Sequence, residues 1–165
     1  MSLHAVVVPA FTQTLKGLSG VLAKAEAHCE TKKIQPEALL TARLFPDMFT
    51  FTRQVQSTCD FAAKTCARLT GSDVPSYPDV EKSFAELKQR VQTASDYVNG
   101  FTAQQFEGAA TREVVVPAGS RSLTFNGASF LASFAFPNFY FHAATAYDIL
   151  RSNGVEIGKR DFLGM

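Results

Sequence analysis

The chain has 165 residues, 16 Lys and Arg against 15 Asp and Glu, and a net charge of +1 at neutral pH. With 19% charged residues, it offers no electrostatic footprint for nucleic acid or an anionic membrane. A hydrophobic content of 46% excludes intrinsic disorder and suits one compact domain over residues 1–165.

The first helix is read from Val8, Phe11, Leu15, Leu18, Leu22, Ala25 and Cys29, whose spacings are all three or four. Ahead of it, residues 5–8 form a short apolar run with no preceding Lys or Arg, and Pro9 interrupts it. That is not the pattern of an export signal. No apolar run reaches the ~20 residues of a membrane span, and the expected location is the cytoplasm. Pro36 fits the first turn of a short helix. Pro46 ends that piece or opens the next. Met48, Phe51, Val55, Cys59, Ala62, Cys66 and Leu69 then form a second stripe, which Gly71 stops.

Pro78 is expected to start the third helix, with Asp79 and Glu81 near its positive end. Its inward positions would be Val80, Phe84, Leu87, Val91, Ala94 and Val98. Residues 112–116 and 121–125 are β-prone runs around Pro117-Ala118-Gly119-Ser120 and read as a hairpin. The fourth helix runs from 128 to about 153, with a kink expected at Pro137. The tail from Val155 has no regular pattern. The expected fold is all-α: a four-helix bundle with a small β-hairpin inserted between helices three and four.

Three cysteines, Cys29, Cys59 and Cys66, are an odd count. Seven residues of helix separate Cys59 and Cys66 by ~10 Å, beyond disulfide reach. They read as free thiols packing as small hydrophobes.

The fourth helix carries the candidate site. One face runs Leu131, Phe134, Asn138, His142, Thr145, Ile149, polar in its middle. A buried His and Asn must be hydrogen-bonded. The trio Asn138, His142 and Thr145 is therefore either a satisfied internal network or a pocket with His142 as metal ligand or acid/base. A second face, Phe136, Phe139, Ala143, Ala146, Leu150, is apolar throughout and needs a cover, either the hairpin or a second copy. A homodimer through helix four is expected on that ground. On helix two, Asp47, Gln54 and Thr58 share a face. They either meet His142 across the core or form the wet side, and the wet side is the expectation for Gln54 and Thr58. Asp47 is read equally as a charge complementing the helix dipole.

Phosphate loops, H-E-x-x-H, C-x-x-C and G-x-S-x-G are absent from the sequence. The three His are His4, His28 and His142. His4 and His28 would lie about 36 Å apart on one straight helix, so the three cannot share an ion.

Three blocks resemble the family called domain of unknown function 1993. They are Arg43-Leu44-Phe45-Pro46-Asp47-Met48-Phe49 with Arg53-Gln54-Val55-Gln56; Pro137-Asn138-Phe139-Tyr140-Phe141-His142 with Thr145-Ala146-Tyr147-Asp148-Ile149-Leu150-Arg151; and Gly154-Val155, Ile157-Gly158-Lys159 and Asp161-Phe162-Leu163-Gly164. That family looks like a branch of the DinB/YfiT-like four-helix superfamily. The resemblance implies a divalent metal (Zn, Ni, Mn or Fe) held by one His of helix two and two of helix four, serving thiol transferases, hydrolases or isomerases. Here His142 is similar to the second of the helix-four pair, Asn138 stands at the first, and helix two has only Asp47 and Gln54. The implied metal set is therefore His142, Asn138 and Asp47, a weak donor set for such an ion.

The function expected first is a dimeric module binding an unknown small molecule, without a complete metal triad, in a pocket of His142, Asn138, Tyr147, Thr145 and Gln54. The alternative is a divalent-metal-dependent enzyme, a thiol transferase or hydrolase, using His142. A structural interaction protein using only the apolar face of helix four ranks third.

Overall fold

The computed structural model describes residues 2–165. Helix α1 spans His4–Lys32, α2 Pro36–Leu40, α3 Phe51–Thr70 and α4 Phe84–Asn99. The antiparallel strands β1, Glu113–Ala118, and β2, Arg121–Asn126, follow. Then come α5, Gly127–Phe130, a π-helical turn at Leu131–Ala135, α6, Phe136–Ser152, and α7, Lys159–Phe162. The long helices α1, α3, α4 and α6 make the bundle. Helix α1 lies against α4, α3 against α4 and α6, and α1 closes the ring on α6. The hairpin sits between the third and fourth bundle helices, as the sequence predicts.

The stripe of α1 is core: Phe11, Leu15, Leu22 and Ala25 are fully buried. By length and composition alone α1 could cross a membrane, but here its apolar side packs inside the bundle. Helix α3 starts at Phe51, three residues later than the stripe suggests, because the Thr50 side chain caps it by accepting from Arg53 N. Gly71, at φ +72°, ends it.

The third helix needs the largest correction. It begins at Phe84, capped by Ser83, whose hydroxyl accepts from Glu86 N. Residues 71–83 are an extended strap, and Val80, expected inward, is 65% exposed. The reason is electrostatic. Asp79 and Glu81 are drawn to Arg90 on α4, rather than standing at a helix N-terminus. Arg90 is only 5% exposed. Its guanidinium donates to Asp60 Oδ1 at 2.5 Å, Glu81 Oε1 at 3.1 Å and the Pro78 carbonyl at 3.2 Å. It also lies 4.5 Å from the centre of the Tyr77 ring.

The hairpin pairs Glu113 with Asn126 through Ala118 with Arg121. Its turn is therefore Gly119-Ser120 alone, and Pro117 lies within the edge strand, where no ladder donor is required of it. The fourth helix is interrupted, as expected near Pro137, and the π-helical turn just before that residue absorbs the distortion.

Two expectations about helix four change. Phe139, Ala143, Ala146 and Leu150 are buried within a single chain. Phe11 of α1 provides the cover, with ring centroids 4.6 Å from Phe139 and 5.6 Å from Phe136. Those four residues are covered inside one chain, so the face needs no second copy to bury it. The sequence pattern identified a doubly covered helix correctly but assigned the second cover to the wrong element.

The tail is ordered against α1. Gln13 Nε2 donates to the Leu163 carbonyl at 2.5 Å, Lys24 pairs with Asp161 at 2.6 Å, and Phe162 packs edge-on to Tyr147. A Cβ on Gly17 would lie 2.1 Å from the Phe162 carbonyl oxygen. Gly17→Ala is therefore expected to release residues 158–165 while the bundle stays folded. Faster amide exchange confined to that segment and to its contacts on α1 would report this; unchanged protection would contradict it.

All three cysteines are free and buried, and burial pushes the thiols of Cys59 and Cys66 up to about 12. Native thiol titration is expected to be slow for both and fast only after unfolding. Rapid native labelling would mean that the inward stripe of α3 opens.

Candidate functional site

Helices α3 and α6 pack along their lengths and bring together two of the residues singled out in the sequence. His142 Nδ1 and Gln54 Oε1 are 2.7 Å apart. Gln54 is 1% exposed and Thr58 fully buried, so the wet-side reading of both is corrected: they face the core. Gln54 Nε2 points to the Phe49 carbonyl at 3.5 Å, which leaves its Oε1 for the imidazole. An amide oxygen only accepts. Nδ1 therefore carries the proton, and Nε2 holds the lone pair.

The imidazole is clamped by rings. Phe61 stacks on it at 5.5 Å and 23°, Phe49 at 6.1 Å and 12°, and Phe141 meets it edge-on at 5.4 Å. An aromatic chain continues from Phe61 to Phe134 and on to Phe125 of the hairpin. Phe134, placed on the inward face from the sequence, is only partly buried. His142 is 9% exposed. Among the described residues its Nε2 makes no hydrogen bond, and it is not one of the enclosed unpaired side-chain atoms found there, Thr65 Oγ1, Arg90 Nε and Arg112 Nε. Nε2 is therefore not fully enclosed.

Phe49 is supplied by the loop of residues 43–50, and the loop is tied down. Phe51 N donates to the Ala42 carbonyl at 2.8 Å, Thr52 Oγ1 to the Leu40 carbonyl at 2.9 Å, and Arg43 to the Met48 carbonyl at 3.0 Å. Leu44 and Phe45 stand exposed on the same loop, and Phe141 stands exposed beside His142. Several surface cavities lie away from His142. One of about 430 Å³ runs between α1 and α4 past Lys16, Ser19, Gln92 and Ser95. His142 belongs instead to an open aromatic face.

The other candidates do not converge on the imidazole. Asn138 Nδ2 donates to the Phe134 carbonyl at 2.8 Å and Thr145 Oγ1 to the Phe141 carbonyl at 2.7 Å, both on their own helix. Tyr147 faces the tail, its hydroxyl 3.5 Å from the Ile157 carbonyl. Asp47 is exposed in a turn outside α3, so its reading as a charge in that helix's first turn is also corrected. Among the described residues no group of three His, Cys, Asp or Glu could hold an ion. With Gln54 bonded to Nδ1 and Asn138 turned back on its helix, the residues present do not fit the three-ligand centre that the resemblance implies. Phe49 and Arg53 stand in the first block of the resemblance but were not read as site residues, and Phe61 was not singled out from the sequence. The available signal was the seven-residue step from Gln54 to Phe61, which returns to the same face of α3.

Burial holds the His142 imidazole below the usual histidine range, and the Arg53 charge adds to this. The unfolded imidazole titrates near 6.5 and the folded one lower, so between the two values the unfolded chain holds the extra proton. The stability contributed by the neutral ring is fully present above about pH 6.5 and is lost as the pH falls through the folded value. Urea midpoints from pH 7.5 downward are expected to drop less steeply in His142→Asn, which keeps a donor toward Gln54. Superimposable profiles would sink the assignment.

The family described as Domain of unknown function (DUF1993) matches residues 3–163 of the chain. A crystal structure of a DinB family member protein from Shewanella denitrificans matches it with a TM-score of 0.92 at 42% identity, covering 99% of this chain and 92% of that one. No curated protein matches.

Proposed function

Since the chain belongs to the domain of unknown function 1993 family and has the DinB-like bundle fold, we propose that it is a small-ligand-binding module anchored on His142 without a resident metal. The observation that carries this reading is the 2.7 Å contact between His142 Nδ1 and Gln54 Oε1. It fixes the tautomer, orients the ring and leaves one unprotonated nitrogen that the aromatic clamp does not fully enclose. One imidazole nitrogen can accept a hydrogen bond. A catalytic zinc site takes three protein ligands, whereas Asn138 is bonded back to its own helix and Asp47 is exposed in a turn outside α3.

The test uses protein purified without a metal-affinity step. Elemental analysis is expected to find no stoichiometric metal, and Zn(II) or Ni(II) titration no tight 1:1 binding. A small-molecule fragment screen read on the His142 imidazole nitrogens is expected to find ligands that move Nε2. Stoichiometric Zn, Ni, Mn or Fe would overturn the reading in favour of a metal-dependent enzyme. A screen that never moves Nε2 would remove the ligand.

A further inference from the structure

We propose that the ligand class taken at His142 is a phenol, an aromatic ring whose hydroxyl donates to Nε2. This rests on the reading of His142 as the ligand anchor and names what the anchor selects. Nε2 is an acceptor only, because Nδ1 commits its proton to Gln54. The ligand must therefore bring a donor. A carboxylate or a fully ionised phosphate ester brings none and would need Arg53. That guanidinium is already engaged by Asp79 and by Gln56 Oε1, and it lies 5.6 Å from the Phe49 ring centre.

The surroundings decide the rest of the molecule. Phe49 and Phe61 flank the imidazole, and Phe141 crosses its edge at 80°. Phe49 is 48% and Phe141 55% exposed, with Phe45 at 63% on the same tied loop. A sugar placed here would lose hydration at several hydroxyls with no partners to replace it. A second aromatic ring gains edge-to-face contact instead. A thiol is a poorer donor than a hydroxyl. A phenol, titrating near 10, keeps its proton at neutral pH. The contact is then a hydrogen bond with no bond made or broken.

The probe pair is p-cresol and its methyl ether, 4-methylanisole, which has the same ring and no donor. Both are titrated into the full chain labelled with ¹⁵N-histidine. p-Cresol is expected to move the Nε2 resonance of His142 saturably. The ether should bind ~3–10-fold more weakly, the worth of one hydrogen bond, and leave Nε2 in place. His142→Phe, if folded by circular dichroism, should reduce cresol affinity to that of the ether. Equal affinity and equal shifts for the two probes would overturn the proposal. So would a silent Nε2 with cresol when another fragment moves it, in which case the ligand-binding module stands and only the phenol falls. If neither cresol nor any fragment moves Nε2, both readings fall together.

Discussion

Ala143→Glu is expected to unfold the protein. Ala143 is 1% exposed and lies one turn from Phe139, whose ring packs on Phe11 of α1. Nothing in that face can pair with a carboxylate: its other residues are Phe136, Phe139, Ala146 and Leu150. An unpaired buried charge costs at least about 4 kcal/mol. A domain of this kind holds ~5–15 kcal/mol in total. Loss of the near-ultraviolet circular dichroism signal and of amide dispersion is the expected readout, with Ala143→Ser as a folded control. A folded Ala143→Glu variant of altered oligomeric mass would instead place this face at a subunit boundary.

Arg90→Met is expected to cost about 3–5 kcal/mol, the usual consequence of removing one member of a buried ionic group. Asp60 would keep only Lys64 and Glu81 only the Gln56 amide as partners, and the strap of residues 71–83 would lose its anchor. Burial opposes the charge on Arg90, but the Asp60 hydrogen bond and neighbouring carboxylates hold its ionisation above the usual arginine range. Arg90→Lys should recover little, since an ammonium cannot span Asp60, Glu81 and the Pro78 carbonyl as the guanidinium does. Urea denaturation measures the loss, and limited proteolysis should show new cleavage within the strap. A loss under ~1 kcal/mol, as for a surface pair, would mean the network is not enclosed.

The candidate site was half legible. His142 was found because a polar residue on an apolar helix face must be satisfied or functional. Gln54 was placed on the right helix but on its wet side. Its carboxamide looks solvent-directed until a buried imidazole stands opposite. Asn138 and Thr145 share the face of His142, yet each bonds a carbonyl one turn back. Local backbone partners compete for short polar side chains, and periodicity does not reveal that competition.

Four apolar stripes at helical spacing, the hairpin between the third and fourth, and the free buried cysteines follow from local pattern alone. Each depends on residues within one or two turns of each other. The start of α4, the cover of α6 and the docking of the tail do not. Asp79 and Glu81 have the composition of a helix N-terminus and leave it because Arg90, joined by Arg53 at Asp79, offers a stronger charge partner across the strap. Phe139 needs a cover by composition, but only packing says that Phe11, 128 residues earlier in the chain, provides it. Gly17 is an ordinary mid-helix glycine in the sequence. Its lack of a Cβ matters because the Phe162 carbonyl fills that space. Hydrophobic period is a property of one segment, whereas charge pairing and close approach are properties of two, and the second segment is named only when the chain has folded.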